Sequence, residues 1–315
     1  MRRRDPASLI EGVASGDTTA VARLLSIVEQ GGPDAAQAGA LVYPLGGRTY
    51  TVGITGAPGA GKSTLTDRLI TLGRADDHRI AVLAIDPSSP YSGGAILGDR
   101  VRMTEHFLDP GVFIRSMATR GHMGGLALAA PAAVRVLDAA GFPWVLLETV
   151  GVGQVEVEIA GAADTTVVVV TPGWGDSVQA NKAGLLEIAD IFVINKADRA
   201  GADGARRDLE VMLELSGLSE TAWRPPILKT VAATGEGVDE LWATIATHRA
   251  HIESDGTLER RRARRVTGEV REIVARRMEA RAYELCAGPA YEAVQAAVLE
   301  RTIDPYEAAE RIIAG

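Results

Sequence analysis

The sequence predicts an α/β fold in which a mostly parallel β-sheet is covered by helices on both faces. Between residues 49 and 252, short runs of β-branched and aliphatic residues alternate with segments of helical periodicity. These runs are almost continuously apolar, which is typical of strands buried on both faces of a parallel sheet. The predicted strands cover residues 51–54, 80–85, 112–115, 144–147, 166–171, 191–194 and 227–231.

Helical segments are predicted on both sides of this central domain. Residues 1–48 form a predicted N-terminal helical extension, in which Asp17 is a suitable N-cap and Gly31-Gly32-Pro33 interrupts the helical pattern. Residues 253–315 form a predicted C-terminal helical arm. A long helix over residues 257–285 is expected to begin this arm, and two short helices should complete it.

Composition restricts the possible functions. The 315 residues carry a formal net charge of −8, which disfavours a general nucleic-acid-binding protein. The single cysteine, Cys286, fits a reducing compartment and is expected to be buried and inert. No apolar run is long enough to span a bilayer, and the N-terminal residues lack the apolar segment of a signal peptide. We therefore expect a soluble, cytoplasmic protein with neither nucleic acid nor a membrane among its partners.

The first chemical motif is a phosphate-binding loop between a predicted strand and a predicted helix. Its lysine is one of only four in a chain with 29 arginines, and a compact ammonium suits a cage of backbone amides better than a guanidinium does. We expect Lys62 to bridge β- and γ-phosphate oxygens and Ser63 to bind Mg²⁺. A chance glycine-rich turn is the alternative, but the strand–loop–helix context favours a P-loop NTPase fold. The motif and the residue after it are Gly56, Ala57, Pro58, Gly59, Ala60, Gly61, Lys62, Ser63 and Thr64.

The second motif, Asn195-Lys196-Ala197-Asp198, also follows a predicted strand and indicates a guanine site. A carboxylate at Asp198 can accept hydrogen bonds from guanine N1–H and N2–H₂, and sites of this kind can reject the wrong ligand by roughly 10⁴-fold. Asn195 should tie this loop to the phosphate loop, and the stem of Lys196 should cover the base. The backbone of Val231-Ala232-Ala233, after the last strand, could contact guanine O6.

Several acidic residues could hold Mg²⁺ near the γ-phosphate. Glu148 follows a predicted strand and should bind the ion through water, while Asp86 and Asp99 are further candidates that could instead serve turns or helix caps. Mg²⁺ usually takes one or two carboxylates, so all three cannot be direct ligands. The Gly151 amide is expected to sense the γ-phosphate. Gln154 is the candidate for positioning water, although its spacing differs from that in many small G proteins, so turnover should be slow without a partner.

With these motifs, the sequence resembles the G-protein chaperone family associated with methylmalonyl-CoA mutase. The resemblance is carried by residues 86–103 (DPSSPYSGGAILGDRVRM), 115–126 (RSMATRGHMGGL), 148–154 (ETVGVGQ) and 172–198 (PGWGDSVQANKAGLLEIADIFVINKAD). The resemblance implies a GTPase that binds GTP, GDP and Mg²⁺. It also implies that GTP binding and hydrolysis gate the delivery of adenosylcobalamin to a B12-dependent acyl-CoA mutase and help it to discard damaged cofactor.

The same resemblance implies further features of the chain. The C-terminal arm would be used in homodimerisation. Segments 86–105, 148–158 and 173–185 would move during the cycle, and Lys182 lies in the last of them. Val231 departs from the family pattern, because serine often stands at this position; backbone contacts with the base could survive the change.

Three other functions remain open at this point. A nickel-insertion GTPase would usually carry histidine tracts or a Cys/His pair, which this chain lacks. A P-loop small-molecule kinase would need an acceptor site, and a nucleotide-dependent scaffold would barely hydrolyse GTP. His248 and His251 could bind a metal, but we expect them to be solvated. We expect the arginine cluster at 260–265 to form a solvated helix face rather than a nucleic-acid patch, and a helix–helix or mutase contact is the alternative.

Overall fold

Seven parallel strands form one sheet with the order β3-β2-β4-β1-β5-β6-β7 in the computed structural model. The structure describes residues 5–86, 106, 108–118, 125–149, 161–174, 184, 187–215 and 223–314. Each predicted strand is present, and the predicted and observed ends differ by at most three residues. The α/β fold class is confirmed. The strands are β1 Tyr50–Gly56, β2 Ile80–Asp86, β3 Val112–Ala118, β4 Trp144–Thr149, β5 Thr165–Val170, β6 Ile191–Asn195 and β7 Ile227–Thr230.

The chain divides into two compact units, Met1–Ala263 and Arg264–Gly315. The helices described are α1 Ile10–Ala14, α2 Thr18–Gln30, α3 Gly32–Val42, α4 Lys62–Ala75, α5 Gly125–Ala139, α6 Ala202–Leu215, α7 Val238–Ser254, α8 Thr257–Leu285, α9 Pro289–Leu299 and α10 Pro305–Ala314. Among the described residues, no helix combines the length and the apolar character needed to cross a lipid bilayer.

Apolar side chains on alternate positions of the strands bury both faces of the sheet. On β2, Leu83 belongs to the core under α2, α3 and α5, while Val82 belongs to the core under α4 and α7. Full burial of one such side chain contributes about 1.5–3 kcal/mol relative to its exposure. The near-continuous apolar runs in the sequence therefore reflect a sheet covered by helices on both sides.

The N-terminal extension is helical, and its capping follows the sequence prediction. The Asp17 side chain accepts a hydrogen bond from the Thr19 amide (2.8 Å), which satisfies an otherwise unpaired donor at the start of α2. Gly31, with φ of 74°, ends α2, and α3 begins at the next residue. Arg115 on β3 ties this layer to the sheet, because its guanidinium donates to Ser26 and Glu29 on α2.

The C-terminal helices also follow the predicted pattern, with one long helix and two short ones. Cys286, which follows α8, is exposed, so the expectation that it is buried is wrong. The unit Arg264–Gly315 consists of helix segments too few to enclose a large core, and most of its side chains therefore retain contact with solvent.

A buried polar network lies at the amino-terminal edge of the sheet, where β5 and β6 begin. Asp164 and Asp190 directly precede these strands and are almost fully buried. Arg262 donates to Asp164 (2.7 Å), and Arg261 donates twice to Asp190 (2.8 and 3.0 Å). The expectation of a solvated face at 260–265 is therefore wrong for these two arginines, because the buried carboxylates require charged partners.

His248 on α7 belongs to the same network. Its side chain is fully buried, its Nδ1 lies 2.8 Å from the Thr165 hydroxyl, and its Nε2 lies 3.3 Å from Asp190. The Thr165 hydroxyl is in turn 2.6 Å from that of Tyr50, whose burial raises the pKa of its phenol. The expectation that His248 is solvated is wrong, because α7 places it against the sheet; His251, one turn later, remains partly exposed.

Candidate nucleotide-binding site

The phosphate loop connects the carboxyl end of β1 to the start of α4. Gly56 and Gly61 have φ angles of 134° and 90°, which favour glycine. A Cβ on Gly56 would lie 2.0 Å from the Val169 carbonyl oxygen, and one on Gly61 would lie 2.4 Å from Nδ2 of Asn195. Both glycines are therefore required by backbone conformation and by close contact with β5 and with the end of β6.

Lys62, the first residue of α4, places its ammonium group inside this loop. Its side chain is buried, and Nζ donates to the carbonyl oxygens of Gly56 (2.6 Å) and Ala57 (3.0 Å). The positive end of the α4 helix dipole lies at the same place. A fixed cation together with a helix N-terminus makes this loop a suitable site for an anion such as a phosphate group.

Ser63 and Glu148 meet beside the loop. Ser63 lies in the first turn of α4, which follows β1 through the phosphate loop, while Glu148 lies on β4. Strands β1 and β4 are neighbours, and their register pairs Ile54 with Glu148. Ser63 Oγ donates to Glu148 Oε1 (2.6 Å), and both side chains are buried. Carboxylate and hydroxyl oxygens are the hard ligands that Mg²⁺ prefers, so this pair fits the metal that the sequence predicts. Among the described residues, no group of three or more His, Cys, Asp and Glu side chains could hold a metal.

Asn195, the last residue of β6, joins the guanine-type loop to the phosphate loop. Its Nδ2 donates to the Ala60 carbonyl oxygen (2.7 Å). Its Oδ1 accepts from the Thr230 hydroxyl (3.1 Å) and from the Ala232 amide (3.0 Å). The predicted tie between the two loops is therefore present, and the same side chain also fixes the turn after β7.

Lys196 makes a second link between the loops. Its Nζ donates to the Gly59 carbonyl oxygen (2.7 Å), and its φ of 59° is unusual for a residue with a side chain. Such strained conformations often occur at functional sites. Two residues later, Asp198 is exposed, so its carboxylate is accessible from the solvent side of this loop.

The turn after β7 places three backbone amides near these loops. The Val231 amide donates to the Glu236 carbonyl oxygen (2.9 Å), and the Ala232 amide is used by Asn195. Ala233 is exposed. Because two of the three amides already have partners, a base contact from this segment is best assigned to Ala233.

Arg68 on α4 is a contact residue that sequence reasoning missed. Its Nε donates to the Ala232 carbonyl oxygen (3.2 Å), and its Nη2 donates to that of Ala233 (3.0 Å). These partners lie more than 160 positions away in the chain, so no local pattern could reveal the contact. The contact exists because the fold places α4 beside the turn after β7.

Several predicted residues lie outside the part of the chain that the structure describes. They are Asp99, Gly151, Gln154 and Lys182. Asp86 ends β2 at the carboxyl edge of the sheet, but its side chain is outside the described part as well. Their proposed roles therefore remain predictions.

The fold and this site define a P-loop NTPase whose second loop has the guanine-type sequence. The model of the family described as "Methylmalonyl Co-A mutase-associated GTPase MeaB" matches residues 21–286. The chain belongs to this MeaB family.

Comparison with individual proteins agrees with this assignment. A putative GTPase of Pyrococcus abyssi is 49% identical over 307 residues, which are 97% of this chain and 95% of that protein. The GTPase ArgK of Escherichia coli is 35% identical over 260 residues, which are 80% of this chain and 78% of ArgK. A crystal structure of an LAO/AO transport system kinase matches 100% of this chain and 98% of its own, with a TM-score of 0.71 and 26% identity.

Proposed function

We propose that this chain binds GTP and GDP with Mg²⁺, hydrolyses GTP, and gates adenosylcobalamin loading and reactivation of a B12-dependent acyl-CoA mutase. Methylmalonyl-CoA mutase is the expected client. The main support is the hydrogen bond from Asn195 to Ala60, which joins a phosphate loop and a guanine-type loop into one site. The description of the family, whose members are mutase-associated GTPases, supports the choice of client.

We propose that the phosphate loop holds the triphosphate by positive charge and by hydrogen-bond donors that point toward the phosphate oxygens. Lys62 would exchange its two carbonyl partners for phosphate oxygens, and the N-terminus of α4 would add backbone donors. Ser63 and Glu148 would hold Mg²⁺, which when bound neutralises phosphate charge during transfer. Asp86 and Asp99 remain candidates for the same ion. These residues would thus stabilise the negatively charged transition state of direct phosphoryl transfer from GTP to water, with no covalent enzyme intermediate.

Turnover is proposed to be slow for the isolated protein and faster with its partner. Lys62, Glu148 and Gln154 are the proposed catalytic residues, and Gly151 is the proposed γ-phosphate sensor. A P-loop site without an assured arginine to stabilise the transition state hydrolyses GTP slowly, and a partner-supplied contact can raise the rate by about 10³–10⁵-fold. A mutase that binds segments 86–105, 148–158 and 173–185 would provide such a contact.

We also propose a homodimer formed through the C-terminal arm and a cytoplasmic location. The exposed apolar side chains of α8 support the first proposal. The single cysteine supports the second, because it fits a reducing compartment.

The test compares GTP and ATP turnover with and without a purified candidate mutase. We expect GTP to be preferred and its hydrolysis to rise when the mutase is added. Asp198→Asn should weaken GDP selectively, and Lys62→Ala should remove most nucleotide affinity. Lys229→Ala is the matched control, since Lys229 pairs with Asp203 at the surface. Equal GDP affinity in Asp198→Asn and the wild type would refute the base assignment.

The same assay separates the alternatives. Transfer of the γ-phosphate to a small molecule rather than to water would indicate a kinase. Nickel-dependent turnover would indicate a nickel-insertion GTPase, and GTP binding without measurable hydrolysis would indicate a scaffold. If the mutase neither binds nor changes GTP hydrolysis, the proposed client is wrong while the GTPase activity stands.

A further inference from the structure

Arg68 connects the phosphate-loop helix directly to the turn that follows β7. The side chain begins on α4, six residues after Lys62, and its guanidinium donates to two successive carbonyl oxygens, those of Ala232 and Ala233. On the opposite side of this turn, Asn195 accepts from the Ala232 amide. The turn is therefore held on both sides, by α4 and by the end of β6.

Only one amide of this turn remains suited to an external acceptor. The amides of Val231 and Ala232 donate to Glu236 and Asn195. Ala233 is exposed, and no acceptor for its amide is found among the residues that the structure describes. Ala233 thus lies at the surface, on a turn that is fixed to α4 and to the end of β6.

The carbonyl group of Ala232 and the amide of Ala233 belong to the same peptide unit. A charged donor on the carbonyl oxygen withdraws electron density from that unit, and hydrogen bonds in series polarise one another. Arg68 therefore strengthens the Ala233 N–H as a donor and also fixes its direction.

We propose that Arg68 is a positioning residue for base selectivity, which aims the Ala233 amide at the 6-oxo group of the purine. The inference rests on the proposed function, because it specifies how the same site reads its base. A donor at this place favours a carbonyl at position 6. It disfavours the 6-amino group of adenine, which would present a second donor and leave the amide unpaired. Asp198 would read positions 1 and 2 independently.

Recognition of purine position 6 through Arg68 and recognition of positions 1 and 2 through Asp198 can be separated with modified nucleoside diphosphates. 6-Thio-GDP keeps N1–H and N2–H₂ but replaces O6 by a weaker acceptor, whereas IDP keeps O6 and lacks the 2-amino group. We expect Arg68→Ala to weaken GDP by about 10-fold, the usual effect of losing hydrogen bonds to a charged group. The preference for GDP over 6-thio-GDP should shrink, and that for GDP over IDP should persist. Asp198→Asn should give the opposite pattern, and Arg68→Lys should restore part of the lost preference.

Titration calorimetry with the full-length chain measures these affinities, with ADP as the reference base. Arg206→Ala is the matched control, because Arg206 pairs with Glu210 on the surface of α6 and should leave both preferences unchanged. A merely structural role for Arg68 predicts that both preferences collapse together, and that result would overturn the inference. An unchanged preference for GDP over 6-thio-GDP in Arg68→Ala would also overturn it. If Arg68→Ala does not fold, Arg68→Lys must still reduce the preference for GDP over 6-thio-GDP. An unchanged preference in Arg68→Lys would then overturn the inference.

A different result would refute the proposed function. A wild-type chain that binds ADP as tightly as GDP would refute guanine binding itself. By contrast, a wild-type chain that prefers GDP, combined with an Arg68 variant that keeps its 6-position preference, refutes only the role of Arg68.

Discussion

Gly61 shows how a missing side chain lets two distant loops meet. Its φ of 90° already favours glycine, and a Cβ there would overlap Nδ2 of Asn195. That nitrogen makes the hydrogen bond to Ala60 on which the proposed function depends. Glycine is therefore required at position 61 for two reasons, the conformation of the phosphate loop and the close contact with Asn195 of the guanine-type motif.

We predict that Gly61→Ala lowers both nucleotide affinity and stability. The left-handed conformation costs about 1–2 kcal/mol with a side chain present. Displacing Asn195 costs about another 1–3 kcal/mol through its lost hydrogen bonds. Chemical denaturation should show the free energy of unfolding fall by about 2–5 kcal/mol, and titration should show weaker GDP binding. Gly204→Ala, on α6, is the control, because a Cβ there meets no atom within 4 Å; equal effects of the two substitutions would contradict this account.

At the scale of elements, β6 carries a different network at each end. Asp190 precedes the strand and pairs with Arg261 and His248, while Asn195 ends it and joins the nucleotide loops. The amino-terminal network joins the first turns of α8 to the residues that precede β5 and β6. A short buried strand thus holds part of the candidate nucleotide site at one edge of the sheet and a structural network at the opposite edge.

We predict that Asp190 makes stability depend on pH in the acid range. Burial alone would raise the pKa of Asp190, but hydrogen bonds and charge from His248 and Arg261 outweigh it and place the pKa below its usual value. The folded protein therefore binds this proton more weakly than the unfolded chain does. The resulting stability is present above the unfolded pKa of about 3.9 and is lost as pH falls through the lower folded value.

Asp190→Asn should therefore destabilise the protein at pH 7, by about 3–5 kcal/mol, because Arg261 loses a buried partner. The difference from the wild type should narrow as the pH falls below about 4, where the wild type loses the same interaction. Denaturation at a series of pH values measures this difference. Asp203→Asn, at an exposed ion pair, serves as the control. A difference that stays constant across this pH range would contradict the assigned role.

The sequence predicted the elements well because their signals are local. The apolar run at 191–194 and the glycines of the phosphate loop each specify their own conformation, and the Asn195 link follows from the motif that contains it. Arg68 and Arg261 could not be assigned in this way, since their partners lie far away in the chain. His248 was misjudged because an isolated polar residue on a helix gives no sign of a buried acid opposite it.

At the scale of the whole molecule, the described nucleotide-site residues all belong to the unit Met1–Ala263. The other unit, Arg264–Gly315, carries a different kind of surface. On α8, Val270, Val274 and Met278 recur at four-residue spacing and are 55%, 53% and 62% exposed. Apolar side chains in one stripe of a helix favour association with another protein surface. This stripe supports the proposal of a homodimer formed by the C-terminal arm.

We predict that the full-length double variant Val270→Glu/Val274→Glu is monomeric, whereas the wild type is a dimer. Carboxylates in the stripe would have to be buried without partners if the two copies associated, and that cost opposes dimerisation. Nucleotide affinity should stay within about 2-fold of the wild type, because the contacts described for the candidate nucleotide site involve neither valine. Light scattering measures the mass, and GDP titration measures the affinity. Arg281→Ala on the same helix, where Arg281 pairs with Glu284 at the surface, should remain dimeric. A double variant that is still a dimer would place the interface elsewhere, whereas a monomer that no longer binds GDP would mean that the nucleotide site depends on assembly.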